Sequence, residues 1–166
     1  METENAIYFY GHTSDSPYIC LSNFYPCQFM DDTGNTFNCS EQYFMYHKCL
    51  MFNSENTNLL AAILRSRSPT KIKQLGRQVA NFDDDAWNEN RFAIMKAANF
   101  LKFSQNDDIR EILLETGDKV LYEAAKNDKI WGIGYSADVA VRTPVVKYGK
   151  NLLGRVLMVI RDEMRQ

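Results

Sequence analysis

Glu41 is the carboxylate whose sequence surroundings suit work on a polar substrate. Glu41 follows Ser40 and opens the run Glu41-Gln42-Tyr43-Phe44-Met45-Tyr46-His47-Lys48, which places it in the first turn of a predicted helix. The helix dipole favours an ionised acid there, and such an acid can activate water or accept from sugar hydroxyls. Acids also occupy first turns for helix stability alone, so position does not separate the two uses. Lys48, seven residues on, returns to nearly the same face about 10 Å along the axis. A second unusual string is Trp131-Gly132-Ile133-Gly134, at the end of the segment that starts at Asn127. Glycines let backbone N–H groups approach a ligand, and the indole of Trp131 offers a flat face for a base or sugar. A core tryptophan beside a tight turn gives the same string. The Gly132-x-Gly134 pair lacks the third glycine or the Gly-Lys-Ser/Thr ending of a phosphate loop. No Ser-His-Asp signature is present; His47 falls on the apolar side of its helix and His12 in a loop.

The elements that must carry these residues follow from punctuation and periodicity. Ile7–Tyr10 is a β-prone run ended by Gly11. Cys27–Met30, the turn cluster Asp31-Asp32-Thr33-Gly34-Asn35 and Thr36–Asn38 read as a hairpin. Ser40 is the expected N-cap of a helix whose apolar stripe is Tyr43, Phe44, His47, Leu50 and Met51. Ser68-Pro69 starts a short helix, with Gly76 expected past its end. Asp83-Asp84-Asp85 starts a longer one with Trp87, Arg91, Ile94, Ala98 and Leu101 on one stripe. Asp107–Thr116 is a helix closed by Gly117, Lys119–Ala125 a strand, and Leu153, Val156, Leu157, Ile160 and Met164 mark a C-terminal helix. The sum is a helix-dominated α+β single domain with a small β hairpin or sheet, spanning residues 1–166.

Composition bounds what such a chain does. Its 166 residues are about one domain's worth, so one site is expected. The balance of 19 Lys+Arg against 21 Asp+Glu leaves a net charge of −2, which excludes strong non-specific coating of nucleic acid. Two acid-free stretches are hidden in that balance: Arg65, Arg67, Lys71, Lys73 and Arg77, then Arg142, Lys147, Lys150, Arg155 and Arg161. Either can meet phosphates, and solvated helix faces produce much the same pattern. Cys20, Cys27, Cys39 and Cys49 form no CxxC pair, and with two histidines no metal site is expected. The N-terminus lacks the basic and apolar regions of a signal peptide and no apolar run spans a membrane, so an intracellular protein, cytoplasmic or nuclear, with reduced thiols is expected.

In order and spacing these strings resemble the NADAR family, with its YbiA-like fold, from Tyr8 to Met164. The matching pieces are Phe9-Tyr10, Leu21-Ser22-Asn23-Phe24, Ser40-Glu41-Gln42-Tyr43-Phe44 with Lys48, Gly76-Arg77, and Trp87 with Arg91 and Met95. They continue through Asn127-Asp128, Trp131–Gly134 and Asn151–Met158. The resemblance implies hydrolysis of an N-glycosidic bond to ribose, with Glu41 and Asp128 catalytic and Trp87 and Trp131 walling the substrate. It also implies Asn23, Lys48, Arg77, Arg91, Gly132 and Asn151 as substrate contacts, Asn151 near a helix start where anions are favoured. No metal, no cofactor, no membrane and no obligate protein partner is implied. Two substrate branches are described for the family: ADP-ribosylated guanine bases, and phosphoribosylated intermediates of riboflavin synthesis. The 19 residues between Trp131 and Asn151 exceed the glycine-rich loop of the riboflavin branch and favour ADP-ribosylated guanosine in DNA. A non-catalytic ADP-ribose or NAD reader is the alternative from outside the enzymes.

Overall fold

The computed structural model describes residues 1–166. In chain order its elements are β1 (Ala6–Phe9), β2 (Phe29–Met30), β3 (Thr36–Phe37), α1 (Ser40–Asn53), α2 (Thr57–Arg65), α3 (Pro69–Gly76), α4 (Asp84–Ser104), α5 (Asp107–Glu115), β4 (Val120–Glu123), α6 (Ala137–Ala140) and α7 (Leu152–Met164). Short 3-10 turns occupy Pro17–Leu21 and Val145–Lys147. The chain divides into two compact units, Met1–Ser22 with Asp107–Gln166, and Asn23–Asn106. No helix is long and apolar enough to cross a membrane.

In the first unit, β1 and β4 pair in parallel with Ala6 opposite Val120 and Phe9 opposite Glu123. All four β1 residues are buried, as expected of a parallel strand covered on both faces. Its alternation-free apolar run made that strand legible. The α7 stripe is the predicted one, since Leu153, Val156, Leu157 and Ile160 are fully buried. Arg161, counted among the surface cations in the sequence, is instead buried; its guanidinium donates to Thr116 Oγ1 at 2.9 Å and Lys119 O at 2.8 Å. Gly117 ends α5 in the left-handed region, φ 59°, where a side chain is disfavoured.

In the second unit, β2 and β3 form the predicted antiparallel hairpin, with Phe29 opposite Phe37. Asp31 Oδ1 accepts from the backbone N–H groups of Thr33 and Asn35, which closes the turn. Phe29, Phe37, Tyr43 and Ala98 make the core beneath it. The cap of α3 is as expected, with Ser68 Oγ accepting from Lys71 N, and Asp83 caps α4 by accepting from Ala86 N at 2.7 Å. Gly76 is the last residue of α3 rather than the one beyond it.

Two expectations for α1 change. Cys39, not Ser40, is the N-cap; Ser40 is inside the helix and donates to Asn99 Oδ1 at 3.0 Å in a buried contact. Leu50 and Met51 are exposed, whereas Glu41, Gln42, Met45 and Cys49 are buried beside Tyr43 and Phe44. A helix flanked by α2, α3 and α4 buries more than one stripe, so single-face periodicity misplaces its ends. α2 and α6 have no counterpart in the sequence reading.

Candidate functional site

Glu41 lies in the first turn of α1, where Cys39 leaves the backbone extended (φ −168°) before the helix begins. Its N–H donates to Asn23 O at 3.0 Å, and its side chain is buried, with 7% of the residue exposed. Asn23 in turn accepts from Asn99 Nδ2 at 3.1 Å, and Asn99 Oδ1 accepts from Ser40. This buried chain of amide and hydroxyl groups ties the α1 start to the middle of α4, so the backbone that carries Glu41 is fixed on both sides.

Lys48 donates from Nζ to Gly76 O at 3.1 Å and sits 4.4 Å from the Phe82 ring centroid and 5.8 Å from that of Trp87. Partial burial lowers its pKa from the ordinary lysine value, Glu41 and Asp84 oppose that, and Arg77 reinforces it. Two acids and two bases therefore share one electrostatic neighbourhood. Trp87 packs against Phe44 at 4.8 Å, Phe52 at 6.2 Å and Phe82 at 6.4 Å between centroids. Glu41, Lys48, Trp87 and Arg77 thus converge within this unit, with Asn23 behind Glu41. Arg77 is the exposed C-cap of α3, and Arg91 is half-buried on α4 without an ion pair or side-chain hydrogen bond.

Phe82, Asp84 and Lys102 belong to this region and were not among the site candidates read from the sequence. Lys102 is fully buried, with its ammonium 5.6 Å from the Tyr25 ring and 5.0 Å from that of Phe103. Burial pushes the Cys39 thiol up to about 11; Glu41 adds to that rise and Lys102 works against it. A buried carboxyl group and a buried amine therefore act on the same sulfur in opposite directions. A fully buried lysine has no signature in a helical pattern, whereas Asp84 could have been found from the Asp83-Asp84-Asp85 string. A groove of about 280 Å³ lined by Asn56, Asn58, Leu59, Ala62, Leu75 and Gln78 holds none of the candidates.

The other candidates lie in the first unit, on the segment between β4 and α7. Asn127 takes the left-handed conformation, φ 72°, and Asp128 Oδ1 accepts from the N–H groups of both Ile130 and Trp131 at 2.9 Å. Asp128 thereby shapes the turn that presents half-buried Trp131, and its Oδ2 makes no hydrogen bond within the protein. Gly132 is packed against backbone: a Cβ there would lie 2.9 Å from Glu123 O and 3.1 Å from Asp128 O. Asn151 is buried and left-handed, φ 50°; its Oδ1 accepts from Glu123 N at 3.0 Å and its Nδ2 donates to Leu121 O at 2.8 Å. Its amide is engaged with β4. The start of α7 is closed as well, since Leu152 N and Leu153 N donate to Ile130 O and Trp131 O, each at 3.1 Å. An anion at that helix start, expected from the sequence, would have to displace both backbone bonds.

Residues 8–165 match the NADAR domain. The chain is 42% identical over 172 residues to an N-glycosidase of Acanthamoeba polyphaga mimivirus, covering all of both chains. It is 30% identical over 163 residues to a riboflavin biosynthesis protein of Vibrio vulnificus, covering 98% of this chain and 40% of that protein. The NMR structure of the Escherichia coli protein YbiA superposes with a TM-score of 0.77 at 28% identity, covering 99% of this chain and 88% of that one. The helix-dominated fold with two small sheets is therefore YbiA-like.

Proposed function

Because the chain belongs to the NADAR domain family and is an N-glycosidase, a hydrolase, we propose that it removes ADP-ribose from ADP-ribosylated guanine bases in DNA. The observation that carries the proposal furthest is the buried Glu41 at the α1 start, beside a half-buried lysine and an aromatic wall. Residues 1–166 act in it as one NADAR domain. A DNA-borne substrate places the enzyme in the cytoplasm or nucleus.

Breaking a ribosyl–nitrogen bond builds oxocarbenium character at the anomeric carbon, so a fixed carboxylate stabilises the transition state without reorganising. Glu41 takes a proton from the attacking water, the water oxygen bonds to the anomeric carbon, and the bonding pair leaves with the guanine nitrogen. That nitrogen receives the proton, so the products are free ADP-ribose and an unmodified base. Asp128 holds the Trp131 turn through Oδ1 and offers Oδ2 to the substrate. Trp87 offers the sugar or base an aromatic wall that excludes water, and the family resemblance adds Trp131 as an aromatic contact. Lys48, Arg77 and Arg91 supply positive charge for the pyrophosphate, and Asn23, Gly132 and Asn151 hold the backbone that lines the substrate. The 19 residues between Trp131 and Asn151 support the ADP-ribose branch, and the name of the Vibrio relative supports riboflavin intermediates as the second reading.

The test offers the protein an ADP-ribosylated guanosine oligonucleotide and, separately, a phosphoribosylaminopyrimidine. Release of ADP-ribose from the first with little turnover of the second is expected; the reverse preference refutes the assignment. Glu41→Gln is expected to lower turnover by about 10²–10⁴-fold, the range for losing a general base. Near wild-type turnover by that variant removes Glu41 from the chemistry. Tight ADP-ribose binding without turnover by the wild type would make the protein a reader.

A further inference from the structure

Between α6 and α7 the chain displays an apolar tip in a basic setting. Val145 is 58% exposed and Val146 90% exposed, on a 3-10 turn capped by Pro144. Isolated exposed aliphatic residues need no explanation, but two in succession on a braced turn do. The bracing is extensive. Lys147 N and Tyr148 N donate to Pro144 O and Val145 O at 2.9 Å, and Tyr148 OH donates to Ala140 O at 2.7 Å. The Tyr148 ring packs edge-on against Tyr122, with centroids 5.2 Å apart. Gly149 N donates to Ile133 O at 3.0 Å and Lys150 N to Lys129 O at 2.8 Å, which locks the tip to the segment carrying Trp131. Gly149 sits so close that a Cβ would lie 2.6 Å from Lys129 Cα. The tip cannot fold back to bury its valines without breaking these bonds.

The charge around it is mostly positive. Lys147 and Lys150 are exposed, Lys129 is exposed beside them, and none of the three is in an ion pair. Arg142 lies next to Asp138, the one acid of α6, and no acid follows until Asp162. An apolar wedge flanked by cations matches a nucleic-acid strand, whose phosphates take the lysines while an aliphatic tip lodges against an unstacked base step. A membrane surface is matched less well, because two valines on a three-residue turn bury little area compared with an amphipathic helix.

Resting on the DNA substrate proposed above, we infer that Val145, Val146, Lys147 and Lys150 form the surface that holds DNA flanking the modified base. Guanine carrying a bulky substituent must leave the stack to reach a small site, and a wedge beside Trp131 lowers the cost of that step. The base and its ADP-ribose are recognised elsewhere, so the surface matters for the oligonucleotide and not for the nucleoside.

Two variants test this, Val145→Ser with Val146→Ser, and Lys147→Ala with Lys150→Ala, each assayed on ADP-ribosylated guanosine as nucleoside and within a short DNA oligonucleotide. The valine variant is expected to lose about tenfold in kcat/KM on the oligonucleotide, the scale of a lost wedge against a base step. The lysine variant should flatten the slope of log kcat/KM against log salt by about 1.5–2, one phosphate per lysine. Both should match wild type on the nucleoside. Oligonucleotide turnover equal to wild type in both variants overturns the inference, as does an equal loss on the nucleoside. Failure of the wild type to hydrolyse either substrate counts against the substrate assignment alone, and fluorescence anisotropy with the modified oligonucleotide then decides the surface. Weaker binding by both variants supports it and unchanged binding overturns it. Binding to phosphatidylserine vesicles that exceeds oligonucleotide binding and is lost in both variants would reassign the surface to a membrane.

Discussion

His47 shows how a half-buried titratable side chain ties this unit to pH. It stacks on Tyr43 with centroids 4.0 Å apart, and its buried Nε2 has no hydrogen-bond partner. Burial holds its pKa below the usual 6.5, with Asp31 and Asp32 opposing the shift. Between the folded and unfolded values the unfolded chain binds the proton and the folded chain does not, so stability falls as pH drops below 6.5. Urea titrations at pH 7.5 and pH 5 should show the loss in wild type and a smaller one in His47→Gln; identical losses would exclude His47 as its source. Lys48 gives a second prediction, because its role is charge among aromatic rings. Lys48→Met should raise KM for an ADP-ribosylated substrate at least tenfold, the scale of one charge-assisted contact, while Lys48→Arg keeps part of the affinity. A KM unchanged in both variants would remove Lys48 from pyrophosphate binding. Glu41 was legible because an acid in a helix's first turn is a visible pattern. Lys102 was not, since burial of a lysine is decided by what surrounds α4 and not by its spacing.

At the scale of elements, backbone approach decides more than side-chain pattern. Gly154 in α7 faces β4: an added Cβ would lie 2.0 Å from Leu121 O and 2.4 Å from Asn151 Nδ2. Gly76 in α3 faces only Met45, whose Sδ would lie 2.0 Å away on a flexible chain. Gly154→Ala should therefore cost about 3 kcal/mol or more, and Gly76→Ala clearly less, as read from thermal or urea unfolding. Equal costs would mean that α7 shifts off β4 with ease. Asn151→Ala leaves Glu123 N and Leu121 O without their partner, and is expected to cost about 2–4 kcal/mol by the same measurement. A variant as stable as wild type would show that water replaces the amide. Capped helices such as α3 and α4 were readable from Ser68-Pro69 and Asp83. The left-handed joints at Asn127 and Asn151 were not, because asparagine in a sequence does not announce the conformation its surroundings impose.

For the whole molecule, the net charge of −2 conceals an uneven surface: Arg65, Arg67, Lys71, Lys73 and Arg77 are all exposed, whereas Arg161 is spent inside. The sequence revealed both stretches but could not tell a solvated cation from one that ties α7 to the end of α5. Nor did it show that the chain groups as a continuous unit of residues 23–106 and a second unit drawn from both ends, since no linker composition marks the joins. The parallel pairing of β1 with β4 sets an order of events as the chain is made. Ala6 meets Val120, a separation of 120 − 6 = 114 residues. Strand β1 thus stays without its partner until β4 has been made, while α1 to α4 belong to one continuous stretch that forms a compact unit. Non-local pairing is slow because its loop entropy must be met before contacts reward it. Pulse-labelled hydrogen exchange during refolding should protect α1 and α4 amides before those of β1 and β4; the opposite order would refute it. Until β4 has been made, then, the nascent chain carries an unpaired apolar strand, a segment for a chaperone to shield.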